Sequence, residues 1–251
     1  MKEVDLVEIK EFVNSNINSF HQNKIKSLAG LNLDNILRKK NPYLFKAKNV
    51  TLASELIQGI LDAYLSSSEE KLFGDFLEDL AIFIAHKTCG GRKSAATGID
   101  LEFNRQNIHY LVSIKSGPNW GNSGQQNKQE EDFKTAQKVL KQSNHTKNVQ
   151  TVLGICYGRV KTSFVRGYLK VVGQNFWYFI SGNENLYTGI IEPLGYKSKK
   201  HNDKFKKERN GITNLFTEEF FKKFCDNGKI SWGKLVKFNS GNLVVREQSE
   251  T

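Results

Sequence analysis

The chain has 251 residues, 38% hydrophobic and 11% aromatic with 17 Phe, which is enough apolar material for a sizeable core and excludes a disordered tail protein. With 37 Lys and Arg against 26 Asp and Glu the net charge is +11, which favours a polyanionic partner, nucleic acid first, over the plain alternative of a basic soluble surface. No apolar run approaches the ~20 residues of a membrane helix and residues 1–20 lack a signal core, so a soluble cytoplasmic protein is expected. Cys89, Cys156 and Cys225 are far apart, without a Cys-x-x-Cys pair, which fits a reducing compartment and argues against zinc.

Residues 4–29 set Val4, Leu6, Ile9, Phe12 and Val13 at helical spacing and predict a helix. After the turn at Asn41-Pro42, Thr51 is expected to cap a second helix reaching about residue 65, with Leu56, Ile60 and Leu61 inward. Ser66-Ser67-Ser68 should break it. Ser67 and Glu70 then form a capping box for a third helix over about residues 69–86, apolar through Leu72, Phe73, Phe76, Leu77, Leu80, Phe83 and Ile84. Gly90-Gly91 ends that helix, and Arg92-Lys93-Ser94 reads as a loop.

From there the period changes. Residues 98–103 and 109–115 read as two strands paired in a hairpin across the turn Asn104-Arg105-Gln106-Asn107. A polar loop over 116–128 precedes a helix over about 130–142, and residues 149–157 suit a buried strand. Further strands are expected over 164–172 and 176–181, and a last helix over about 217–224. The basic segment 197–209 shows no apolar periodicity. The reading is one α/β domain: a helical part over about 1–88, a core over about 89–182 and a C-terminal extension over about 183–251.

Strand side chains alternate faces, so Ser113 and Lys115 point one way and Val112 and Ile114 the other, while Asp100 and Glu102 lie opposite Ile99, Leu101 and Phe103. If the hairpin buries Ile99, Leu101, Val112 and Ile114 on one side, Asp100 and Lys115 emerge together on the other. A carboxylate beside an ammonium suits phosphodiester hydrolysis, the acid holding Mg²⁺ and the lysine stabilising charge. An exposed acid–base pair on a hairpin is the plain alternative. Glu102 is expected to be structural or exposed, and His109 exposed at the hairpin edge.

Gly98-Ile99-Asp100 and Val112-Ser113-Ile114-Lys115-Ser116-Gly117, followed by Pro118-Asn119-Trp120-Gly121-Asn122, resemble the catalytic hairpin of type II restriction endonucleases of the PD-(D/E)XK superfamily. The resemblance extends to the segment from Asn41 to Asn49, to Phe73-Gly74-Asp75-Phe76-Leu77-Glu78 and to the helix near Glu130, covering roughly residues 38–182. It implies a restriction-endonuclease-like mixed sheet flanked by helices, Mg²⁺ dependence, and 5′-phosphate products. It further implies a homodimer cutting double-stranded DNA at a short palindromic or interrupted-palindromic site, and a protecting DNA methyltransferase in the host.

One position departs from the pattern: Ser113 stands where the family has Glu or Asp, and a hydroxyl is a poor Mg²⁺ ligand. Some restriction enzymes with Ser-x-Lys take the missing carboxylate from the following helix. Glu130, Glu131 and Asp132 stand at its predicted start, and Glu130 is the favoured ligand, with a macrodipole role as the alternative. Glu78 matches the glutamate that the family often brings from the preceding helix, with a salt bridge as its alternative. Arg92, Lys93, Asn119 and Trp120 are candidate DNA contacts beside the site, with a packed turn over Pro118-Asn119-Trp120-Gly121 as the alternative for the last two. Lys199, Lys200, Lys204, Lys206, Lys207 and Arg209 are candidate phosphate or base contacts, or a solvated charge run. A repair nuclease, a junction resolvase and an inactive DNA-binding module are the rival functions.

Overall fold

The computed structural model describes residues 2, 5–143, 148–195 and 197–242, so Val4 and residues 243–251 of the expected C-terminal extension lie outside the described residues. In chain order the helices are α1 (Leu6–Ala29), α2 (Leu33–Leu37), α3 (Pro42–Ala47), α4 (Ala53–Cys89), α5 (Ser123–Ser143), α6 (Gln174–Ser181), α7 (Leu186–Gly189), α8 (Ile191–Leu194), α9 (Ser198–Phe224) and α10 (Trp232–Ser240). The strands are β1 (Arg92–Lys93), β2 (Leu101–Arg105), β3 (Ile108–Lys115), β4 (Val149–Ile155), β5 (Ser163–Val165), β6 (Tyr168–Val172), β7 (Cys225–Asp226) and β8 (Lys229–Ile230). No described helix is long and apolar enough to cross a membrane. The chain divides into two compact units, Met1–Phe20 with Lys71–Ser198, and His21–Glu70 with Lys199–Thr251.

The first unit is built on a mixed six-stranded sheet in the order β1-β2-β3-β4-β6-β5, flanked by helices. The pairs β3–β4 and β4–β6 are parallel and the others antiparallel. Alternation distributes the strands' apolar residues to two layers. Leu101, Phe103, Val112, Ile114, Val152 and Val171 pack with Ile9, Val13, Leu77, Leu80, Ile84, Phe176 and Trp177 from the helices. On the other face Leu111, Leu153, Ile155, Tyr168 and Val172 pack against Phe133 and Ala136 of α5. Fully burying a Val, Leu, Ile or Phe side chain in these layers stabilises the fold by about 1.5–3 kcal/mol.

The second unit is helical apart from the β7–β8 hairpin. Its core joins Leu33, Ile36 and Leu37 of α2, Leu56, Ile57 and Leu61 of α4, Phe216, Phe220 and Phe224 of α9, and Leu235 of α10.

Several expectations are corrected by packing. Ser66 to Ser68 do not break a helix, and Ser67 does not open a capping box: α4 runs unbroken, Ser67 Oγ donates back to the Ala63 carbonyl, and buried Leu65 anchors the turn. Arg92 and Lys93 form an edge strand rather than a loop. Residues 176–181 are a helix, α6, because Phe176, Trp177 and Ile180 are buried at helical spacing; Gly182, at φ 73°, closes it on the Tyr178 carbonyl. The strand expected over 164–172 is two, turned at Arg166-Gly167. Residues 198–209 of the basic segment belong, with the last predicted helix, to α9, held over this stretch by Phe205. Ile99 joins the α5 face rather than that of Leu101, since regular strand begins only at Leu101 and alternation does not extend back through Gly98.

Candidate active site

The β2–β3 hairpin turns through Gln106 and Asn107, both left-handed (φ 50° and 62°), which makes the tight two-residue turn that fixes register. That register pairs Leu101 with Val112 and brings Asp100, one residue earlier, against the end of β3. Its backbone N–H donates to the Val112 carbonyl at 2.9 Å. Asp100 Oδ2 accepts from the Ile114 N–H at 2.5 Å and the Ser113 hydroxyl at 3.2 Å, and lies 3.7 Å from Lys115 Nζ. Both partners of this ion pair are partly buried, with side-chain exposures of 20% for Asp100 and 27% for Lys115. The ammonium also lies over the Trp120 ring, 5.8 Å from its centre.

Beyond Lys115 the chain stays close to its neighbour. The Lys115 and Ser116 carbonyls accept from the backbone N–H groups of Cys156 and Tyr157. A Cβ at Gly117 would lie 2.4 Å from the Tyr157 ring, so a larger residue here would displace that side chain. Helix α4 approaches the same turn at Gly74, whose added Cβ would meet the Ser116 side chain at 3.4 Å. One helical turn on stands Glu78. Burial raises its carboxyl pKa, the Asp100 charge raises it further, and Lys93, 3.5 Å away, opposes both. The buried Cys156 thiol is likewise pushed up by burial and then by Glu78, with Lys115 opposing. Glu78, Asp100 and Lys115 therefore act on one another or on a shared neighbour in a medium of reduced polarity.

Of the other sequence candidates, Ser113 is fully buried and Arg92 pairs with Glu102 at 2.7 Å. Asn119 is exposed, while Trp120 packs partly under the α5 face of the sheet. Glu130 is engaged by Lys134 at 2.6 Å and Arg166 at 3.8 Å rather than by the hairpin. His109 is not exposed: it lies between Asn104 and Glu102, and burial lowers its pKa. In the second unit Lys199, Lys200, Lys204, Lys206 and Lys207 are exposed on α9, whereas Arg209 pairs with Asp62.

The helix residue that does reach the hairpin was missed. Gln129 is 5% exposed, accepts from Ser113 Oγ at 2.8 Å and donates to the Gly98 carbonyl at 2.9 Å. It was hidden because α5 begins at Ser123, inside the expected loop. Asn122 and Gln125 cap that start reciprocally, each side chain accepting from the other's backbone N–H at 3.0 Å, and Asn-x-x-Gln was a legible signal. With the helix extended, Gln129, Phe133, Ala136 and Leu140 form its inward stripe.

A comparison with protein families matches residues 7–202 to the family described as type II restriction endonuclease EcoO109I. A comparison with curated proteins finds no match.

Proposed function

Since the chain belongs to the EcoO109I family of type II restriction endonucleases, nucleases that act on DNA, we propose that Asp100, Lys115 and Glu78 are its catalytic centre. In this reading the protein hydrolyses double-stranded DNA at a short palindromic or interrupted-palindromic site, as a homodimer, leaving 5′-phosphates. The observation that carries it is the partly buried Asp100–Lys115 pair at 3.7 Å, with Glu78 close enough to feel the Asp100 charge.

The donor set fits a divalent cation. The Asp100 charge disfavours a second bare anion at Glu78, and Mg²⁺, commonly held by one or two carboxylates with water completing its shell, would offset that repulsion. Glu130, engaged by Lys134 and Arg166, is left out of this reading. Asp100 and Glu78 would hold the cation. When bound, it supplies positive charge to a phosphoryl oxygen.

The rest falls to the chain. The Ile114 N–H holds Asp100 Oδ2 at 2.5 Å, so the carboxylate is oriented before substrate arrives. Lys115, held by Asp100 and the Trp120 ring, presents an ammonium to the charge that builds on the phosphate as water attacks. The bond from phosphorus to the 3′ oxygen breaks, the water oxygen stays on the 5′-phosphate, and the 3′ oxygen leaves as a hydroxyl after taking a proton. Lys93, 3.5 Å from Glu78, is suited to a phosphate beside the scissile one. The test is digestion of a phage genome with Mg²⁺. Discrete, reproducible fragments support the reading; binding without cutting would favour the inactive module, and cutting only of branched substrates the resolvase.

A further inference from the structure

Ser113 has one hydroxyl proton and faces two acceptors, Gln129 Oε1 at 2.8 Å and Asp100 Oδ2 at 3.2 Å. The orientation of the Gln129 amide follows from its other partner: the Gly98 carbonyl only accepts, so Nε2 must face it and Oε1 must face Ser113. One side chain of α5 thereby ties together residue 98, two before Asp100, and residue 113, two before Lys115. The helix can stand this close because Gly98 has no Cβ; one placed there would lie 2.5 Å from Asp132 Oδ2. Ser113 and Gln129 are both buried, so breaking these bonds leaves buried polar groups to be satisfied again, at a cost in stability.

We propose that Gln129 is a positioning residue: it fixes the chain at Gly98, two residues before Asp100, and, by taking the Ser113 proton, at the residue before the Ile114 N–H that holds the Asp100 carboxylate, and its neutral amide holds the cation site to two carboxylates where an acid at the same place would supply a third. This rests on the reading of Asp100 and Glu78 as cation ligands. The identity of residue 129 thus sets both the geometry of Asp100 and the net charge offered to the cation. A Glu at 129 would keep an acceptor toward Ser113 but turn a second oxygen on the Gly98 carbonyl, a repulsion that a bound cation relieves.

The test is thermal unfolding of the full chain with increasing Mg²⁺, and in parallel with Ca²⁺, in the absence of DNA, for the wild type, Gln129→Ala, Gln129→Met, Gln129→Glu and Asp100→Asn. The wild type should gain Tm with the cation, and Asp100→Asn should lose that gain. Gln129→Ala should need at least roughly 10-fold more Mg²⁺ for half the effect, as expected when a group orienting a ligand is removed; Gln129→Met, which keeps the volume, decides this arm if the alanine variant does not fold. Gln129→Glu should start from a lower Tm without cation and show a larger gain than the wild type. Variants that lower Tm but leave the size and midpoint of the cation-dependent gain unchanged would reduce Gln129 to a structural role and overturn the proposal. A wild type without a gain, or a gain that survives in Asp100→Asn, would instead overturn the two-carboxylate site on which it stands.

Discussion

Asp100, Glu78 and Lys115 in the sheet unit, and Lys199 to Lys207 in the helical unit, are charges the sequence assigned to the same substrate, yet they are held in opposite ways. All three are partly buried: Asp100 and Lys115 are held by strand register, a backbone N–H and each other, and Glu78 by α4 and Lys93. The α9 lysines stand exposed on a helix that touches its core here through Phe205. Oriented charges in a site of reduced polarity act as a unit whose members cannot be removed one at a time, whereas exposed charges contribute additively and are screened by salt.

The comparison is tested most strongly by neutralising the fixed set. Asp100→Asn and Lys115→Ala should each lower single-turnover cleavage by about 10²–10³-fold, the scale of losing an oriented electrostatic group. DNA binding by gel shift should persist in both. A loss of only a few-fold would put the fixed set on the same footing as the surface lysines.

The next effect is geometric. Gly98 has φ +73°, and a Cβ there would also lie 2.8 Å from Asp132 Cβ and Cγ, which cannot swing away as a flexible tip could. Gly98→Ala should therefore cost about 1–3 kcal/mol of stability. Displacing α5 from the hairpin should slow cleavage by roughly 10–100-fold. Chemical denaturation and cleavage assays on one preparation check both.

The helical unit should respond differently. Alanine at Lys199, Lys200, Lys204, Lys206 or Lys207 should leave the maximal cleavage rate unchanged. Each residue that contacts a phosphate should lower the slope of log affinity against log salt by about 0.9. A lysine whose removal leaves the slope untouched is solvated, not bound.

The smallest effect is a pH dependence. His21 stacks on His201 with ring centres 4.2 Å apart, and burial, His201 and Lys24 lower its pKa from 6.5 to about 4. The unfolded chain then binds more protons than the folded one between these values, so stability should fall as pH drops from 6.5 towards 4 and be unaffected by this group above that range. His21→Gln should flatten that part of a Tm against pH curve.

The same contrast explains what the sequence disclosed. The hairpin was legible because strand alternation and a two-residue turn are local, and together they decide which side chains meet; Asp100 and Lys115 followed from them. Elements held by distant contacts were not. α4 passes its serines because Leu65 packs with Leu28 and Phe205, residues remote in sequence. α9 hides its helical period where one apolar anchor serves several turns, and α6 presents aromatic residues that suit a strand equally well. Gln129 was lost for a smaller reason, a helix start placed seven residues late despite the Asn122–Gln125 cap.

The central claim is that the Asp100 and Glu78 carboxylates share one divalent cation beside Lys115. A crystal grown with Mn²⁺ should show an anomalous scattering peak within about 2–2.5 Å of an oxygen of each, a distance suited to a hard cation and carboxylate ligands. A peak that engages Glu130 and not Asp100, or no peak at Asp100 under conditions that support cleavage, would contradict it.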